Sequence, residues 1–246
     1  MLPALLAVST ALLVACAAGE EEPGGPLVME PAPAKRGTPI DLDLPRDPSG
    51  AFAFDRWPKA CGLLTDADIK AVLPQATEVR REPEDQKINL LPEISNDVAP
   101  APPRMVTAKG ASCRYVLQLP AAGLRDRHDV PGSSGAFLRV SVDYAGTPTA
   151  VKKNFSVGDD KPIEVPDGRC YGEKIGAGVS CRKGSLAFSV NSDFQPVKAE
   201  ERKYLHRYRV KGKTTTFTAG DGTLRSQEYL RDHLSVELAK AVLAKI

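Results

Sequence analysis

The first sixteen residues carry no charged side chain, and nowhere does the chain hold an apolar run long enough to span a bilayer. Crossing about 30 Å of hydrocarbon takes roughly 20 apolar residues. The uncharged run over 1–15 falls short of that. No stop-transfer cation follows it; Ala17, Ala18 and Gly19 lead into Glu20, Glu21 and Glu22. These absences exclude a spanning helix here and fit a cleaved leader. Charge of one sign is not in excess either. Lys and Arg total 33 against 31 Asp and Glu, a formal net charge of +2, whereas a dedicated nucleic-acid binder is usually strongly basic. No Cys-x-x-Cys pair is present, which argues against a zinc site. No Gly-x-Ser-x-Gly elbow is present, and Gly132-Ser133-Ser134-Gly135 reads as a flexible turn before a strand. The three histidines, His128, His206 and His233, are far apart in sequence. Without a recognisable acid or nucleophile partner they give no catalytic set, and the sequence predicts no metal and no cofactor. Asp159-Asp160 and Gly220-Asp221-Gly222 are turn chemistry without the ligand count of a calcium loop. There is no internal repeat and no second domain boundary.

Against these absences stands Leu13-Val14-Ala15-Cys16. An apolar residue, two small ones and a cysteine after an apolar run resemble a bacterial lipobox. The resemblance implies cleavage of a signal peptide over 1–15, diacylation (palmitate-type) of the Cys16 sulfur, and a lipoprotein held on the outer face of the bacterial cytoplasmic membrane. Acyl chains add about 0.8 kcal/mol per buried methylene, so two or three would hold the chain durably. The alternative is an ordinary secretory leader with Cys16 incidental. Residues 16–50 then read as a tether. Pro23, Pro26, Pro31, Pro33, Pro39, Pro45 and Pro48 interrupt it, with Gly24 and Gly25. It has no hydrophobic period and too little apolar surface to offset the entropy of ordering. As a coil its ends sit roughly 30 Å apart, lifting a domain off the headgroups.

The domain spans 51–246, long enough for one well-packed core. Thr65 is an N-cap, with Asp66 and Asp68 in the first turn, Leu64 and Ile69 at staple spacing, and Pro74 as the stop. About 82–112 is broken by Pro83, Pro92, Pro100, Pro102 and Pro103, and reads as an irregular surface insertion. Strands follow. Cys113, Tyr115, Leu117 and Leu119 alternate with Arg114 and Gln118. Leu138, Val140, Val142 and Tyr144 alternate with Arg139, Ser141 and Asp143. Thr147 and Pro148 open a short helix with Val151 and Phe155 one turn apart. The spans 179–182 and 186–191 form a hairpin about Lys183-Gly184. Leu230, Leu234, Leu238, Ala241 and Val242 mark a terminal helix, with Arg231, Glu237, Lys240 and Lys245 off its apolar stripe. One apolar and one polar sheet face points to antiparallel pairing. The expected fold is therefore a single α+β domain, mainly antiparallel sheet with helices packed on one face, stapled by disulfides. Cys61, Cys113, Cys170 and Cys181 form an even set in an exported chain, where thiols oxidise. Four cysteines allow three pairings, of which we favour Cys61 with Cys113 and Cys170 with Cys181.

The segment Cys61-Gly62-Leu63-Leu64-Thr65-Asp66-Ala67-Asp68-Ile69 resembles the opening of an actinobacterial lipoprotein family, domain of unknown function family 3558. Cys113-Arg114-Tyr115, Gly176-Ala177-Gly178 and Arg182-Lys183-Gly184 resemble its later elements, over about 55–195. The resemblance implies that Cys61 pairs with Cys113. The Cys170–Cys181 pair, the proline-rich insertion and the segment after Gln195 depart from it. The family has no established catalytic residues, so none carry over.

Two stretches invite a chemical reading. Ser180-Cys181-Arg182-Lys183 matches the Ser-x-x-Lys of cell-wall serine enzymes, with Ser189-Val190-Asn191 like their second motif. That chemistry needs serine and lysine one helical turn apart. Here both lie in a strand pattern, where positions three apart face opposite sides, and Lys213-Thr214-Thr215 lacks the glycine of the third motif. In the segment 202–213, Arg207, Arg209, Lys211 and Lys213 alternate with Tyr208, Val210, Gly212 and Thr214. If extended, this strand has one cationic face for anionic headgroups or wall polymers. Its bland reading is an edge strand whose lysines discourage pairing. The expectation is a lipid-anchored, non-catalytic binding or accessory module of the cell envelope, with an envelope protein, lipid or wall polymer as partner. The alternatives are a peptidoglycan-type serine enzyme using Ser180 and a purely structural envelope component.

Overall fold

A seven-stranded antiparallel sheet forms the body of the molecule. Its order is β2 (Glu78–Leu90), β3 (Arg104–Gln118), β4 (Ala136–Ala145), β8 (Leu186–Phe194), β7 (Val179–Lys183), β6 (Arg169–Gly172) and β5 (Lys161–Ile163). Beside it lies a three-stranded sheet of β1 (Leu27–Met29), β9 (His206–Val210) and β10 (Lys213–Phe217), in the order β1-β9-β10. The computed structural model describes residues 25–32, 39–40, 57–90, 104–119, 136–145, 148–155, 160–194, 206–217 and 221–246. They make one α+β domain with a continuous core reaching both sheets.

Period-2 alternation places the large sheet's two faces. Tyr115, Leu117, Leu138, Val140, Phe188 and Val190 are buried on the inner one. On that side Thr65 caps α1 (Asp66–Val72) by accepting the Asp68 N–H, while the Asp68 side chain accepts the Thr65 N–H. This capping box is what the sequence pattern predicts. The disulfide Cys61–Cys113 ties the turn before α1 to β3, and Cys170–Cys181 staples β6 to β7. Helix α2 (Pro148–Asn154) departs from the expected single helical face. It contacts β4, β7 and β8, and the neighbouring Phe155 ring lies against Tyr171 and Arg182 of the outer face.

The chain ends in α3 (Asp221–Leu230), a π turn over Arg231–Ser235, and α4 (Val236–Leu243). Asp221, expected in a turn, begins α3. Leu230, Leu234, Leu238 and Val242 are buried as the stripe predicts. Arg231 and Lys245, expected off the stripe, are buried as well. The wider π turn carries Arg231 against Gly172, where an added Cβ would stand 2.6 Å from its Cδ, and Arg231 Nη1 donates to Glu173 O at 2.6 Å. Lys245 Nζ donates to Leu63 O at 2.6 Å and to Asp68 Oδ2 at 2.7 Å. Both cations are tolerated because each has fixed oxygen partners; an unpaired buried charge would be costly.

Two expectations about segment boundaries are corrected. The insertion expected at about 82–112 is largely the paired strands β2 and β3, which face each other from Glu78↔Gln118 to Leu90↔Arg104. Pro83 is compatible because β2 is a sheet edge, where a residue without an N–H costs no ladder bond. Pro92, Pro100, Pro102 and Pro103 lie outside the described residues. The tether expected over 16–50 is interrupted too. Leu27 and Met29 are buried in the core, β1 pairs in parallel with β9, and Gln75 holds Val28 N–H at 2.8 Å. Three residues are too few to show a period, and their partner lies almost the whole chain away.

Lys245→Met is expected to destabilise the protein by about 2 kcal/mol at pH 7, because it leaves a part-buried carboxylate without its cation. Burial alone would raise the Asp68 pKa, but bonds from Lys245 and Thr65 outweigh it and hold the value low. The pair's contribution is therefore complete above the unfolded value near 4 and lost as pH falls through the lower folded value. Urea titrations of both proteins should converge toward pH 3. The Cys61–Cys113 ring spans 52 residues and the Cys170–Cys181 ring 11. Loop-closure entropy assigns them about 4 and about 3 kcal/mol. Cys61→Ser should accordingly lower the denaturation midpoint more than Cys170→Ser.

Candidate functional site

Where the two sheets meet over the last helix there is a cleft of about 980 Å³, at the upper end of ligand-pocket sizes. Five separate stretches build it. One wall is the end of β1 with Glu30, Pro31 and Ala32 behind it. The facing wall is the β5–β6 connection, Glu164 to Asp167, with Lys183 at the end of β7. Val210 and Lys211 of the small sheet form the lip, and His233, Glu237, Lys240 and Leu243 form the base.

The wall positions are fixed by hydrogen bonds. Glu237 Oε2 accepts the Ala32 N–H at 2.8 Å and its other oxygen takes Lys240 at 2.7 Å. One carboxylate thus holds the strand-β1 wall onto the helix. Lys183 Nζ meets Asp167 at 2.5 Å and donates to Leu243 O at 3.0 Å. A cation at a helix C-terminus is favoured there, and it ties the second wall to the same helix. His233 packs on the Tyr229 ring, centroids 4.3 Å apart. Burial lowers its pKa, against the raising effect of Asp232 and Glu237. Met29, Val210 and Leu243 make the apolar part, and charges of both signs surround it. An apolar floor within a charged rim is the combination that suits an amphipathic ligand.

The basic segment is split by the fold. Arg207 and Arg209 stand on one face of the small sheet, opposite Thr216 and Thr214, while Lys213 faces Val210 across the ladder on the other side. Lys211 and Gly212 form the two-residue turn between them, with φ of 48° and 78°. Positive φ at both central positions is the geometry that matches hairpin twist. The single cationic strand face expected from alternation is therefore a hairpin carrying its cations on two faces and a tip.

Ser180 and Lys183 lie on opposite faces of β7. Ser180 pairs across the outer face with Ser189 and Tyr171, while Lys183 is engaged at the helix end on the inner side. Instead Ser180 joins a cross-strand row Ser112, Ser141, Ser189, Ser180 and Tyr171. Next to it Asp143 is the unpaired residue of a bulge, since Val142 faces Phe188 and Tyr144 already faces Ala187. Ser189 Oγ donates to Asp143 Oδ1 at 3.2 Å. Burial pushes the Asp143 carboxyl up to about 7 despite that bond. In sequence Asp143 was one more polar residue of an alternating strand; a bulge leaves no mark there, so nothing singled it out.

Cys16, His128 and Gly132-Ser133-Ser134-Gly135 lie outside the described residues, and His206 is described in its backbone alone. Among the described residues no cluster of three or more His, Cys, Asp or Glu side chains is placed to hold a metal, and no helix is long and apolar enough to cross a membrane. No family model, curated protein or solved structure matches this chain.

The raised carboxyl has a direct consequence. Its folded value lies above the unfolded one near 3.9, so ionisation opposes folding: the penalty is absent below about pH 4 and complete above about pH 7. Asp143→Asn should melt a few degrees above the parent at pH 8 and within a degree of it at pH 4, measured by calorimetry.

Proposed function

We propose that this chain is a lipid-anchored, extracytoplasmic binding module of the cell envelope without catalysis of its own. The observation that carries the reading is the cleft between the sheets, walled by four sequence-distant stretches that converge on one helix. Loops and strand ends brought together on a rigid support are where ligands are usually held. The two disulfides suit an oxidising compartment. The lipobox-like Leu13-Val14-Ala15-Cys16 supplies the anchor, and the Cys61-to-Ile69 segment supports kinship with the actinobacterial family 3558 lipoproteins. The rival serine chemistry needs Ser180 and Lys183 within reach of each other, and strand geometry turns them apart.

A thermal-shift screen of the mature chain against wall fragments, lipids and small metabolites tests the reading. A true ligand at 100 times its dissociation constant adds about 2.7 kcal/mol. The shift should disappear in Glu30→Lys/Glu164→Lys, which reverses charge on both walls. A shift that survives that change, or none across the screen, counts against the cleft. Labelling by a serine-directed acyl probe, lost in Ser180→Ala, would restore the enzyme reading.

A further inference from the structure

We infer that the small sheet, β1-β9-β10, lies against the membrane and contacts anionic phospholipid headgroups through its exposed basic hairpin. The inference rests on the acylation of Cys16 proposed above. Its first support is reach. Strand β1 begins at Leu27 and the described chain at Gly25, nine residues on from Cys16. At no more than about 3.6 Å per residue, that link spans at most about 30 Å. The link thus has about a quarter of the residues expected for the tether, and as a coil its ends sit roughly 17 Å apart. A globule held on so short a link keeps the sheet containing β1 at the headgroups.

The second support is where the chain enters. Because β1 runs parallel to β9, with Leu27 beside Tyr208 and Met29 beside Val210, the link arrives at the Arg207 end of β9. The third is charge. Residues 206–217 contain Arg207, Arg209, Lys211 and Lys213 and no acid. Arg207, Lys211 and Lys213 are exposed, as are the Thr214 and Thr216 hydroxyls beside Arg207 and Arg209 on the outer face. Juxtamembrane cations of this density are drawn to anionic leaflets within about a Debye length. The link itself holds Glu20, Glu21 and Glu22, so a lipid surface must outcompete them. The outer sheet face and tip meet lipid, while the cleft walls behind β1 stay open to ligand.

The test uses the mature chain as Cys16→Ser, so that surface binding is read without the anchor. Vesicles of phosphatidylglycerol and phosphatidylcholine at 3:7 should co-sediment the protein, and pure phosphatidylcholine should not. Half-molar salt should release it. Arg207→Glu/Lys211→Glu should weaken binding at least tenfold. Lys161→Glu/Lys174→Glu, with the same change in net charge on another part of the surface, should leave it within twofold. Glu20, Glu21 and Glu22 changed together to Gln should tighten it. Equal sedimentation with both vesicle types, no sedimentation, or equal losses in the two double variants overturns the proposal. Mass analysis of Cys16 in membrane-derived protein stands apart: an unmodified sulfur removes the anchor whatever the vesicles show.

Discussion

One carboxylate, Asp68, joins the two ends of the fold. It closes the capping box of α1 and takes Lys245 at 2.7 Å from the far terminus, while Lys245 also satisfies the Leu63 carbonyl. Lys245 is buried and Asp68 partly so; burying the ammonium is tolerated because Asp68 Oδ2 and the Leu63 carbonyl accept from it. With the last helix pinned at one end by this pair and at the other by Arg231 on the Glu173 carbonyl, its path across the inner sheet face is set. The base of the cleft is a stretch of that same helix.

The large sheet then divides the chemistry of the molecule. Its inner face is apolar and continuous with the core of the small sheet, so hydrophobic burial drives both sheets onto the same helices. Its outer face is a lattice of cross-strand polar contacts, from Arg139 with Glu84 to Ser141 with Ser112. The exposed Arg139–Glu84 pair contributes little by itself, whereas the Ser141–Ser112 bond is buried. The ladder departs from regularity at two places, between Glu84 and Gln86 and at Asp143. The disulfides add restraint at two places: one ties the turn before α1 to β3, and one staples the short strands β6 and β7.

The cleft is a consequence of two sheets meeting at a seam that neither closes. Glu237 and Lys183 each hold one wall to the helix, so the opening is a built geometry. Binding by a preformed cleft avoids the ordering cost that a flexible site incurs. A short link to an acylated Cys16 would add a second constraint: a module that cannot swing far from the bilayer samples ligands and partners within a thin layer at its surface.

The amino-acid sequence by itself determined the local elements. The Thr65 cap, the alternation over 137–144, the hairpin at Lys183-Gly184 and the leucine stripe at the end all depend on neighbours within a turn or a strand step. Cys61 and Cys113 pair in the structure, as do Cys170 and Cys181. Only the tertiary structure decided what depends on residues far apart. Leu27 to Met29 look like spacer until β9 supplies a ladder. Pro83 looks like a breaker until β2 proves to be an edge. Lys245 and Arg231 look solvent-facing until Asp68 and Glu173 provide oxygens, and the alternating cations of 207–213 look like one face until Lys211 and Gly212 turn the chain. Periodicity records which side of its own element a residue occupies; the cleft and the buried charges come from partners up to 205 positions away, and no local pattern encodes a partner at that distance.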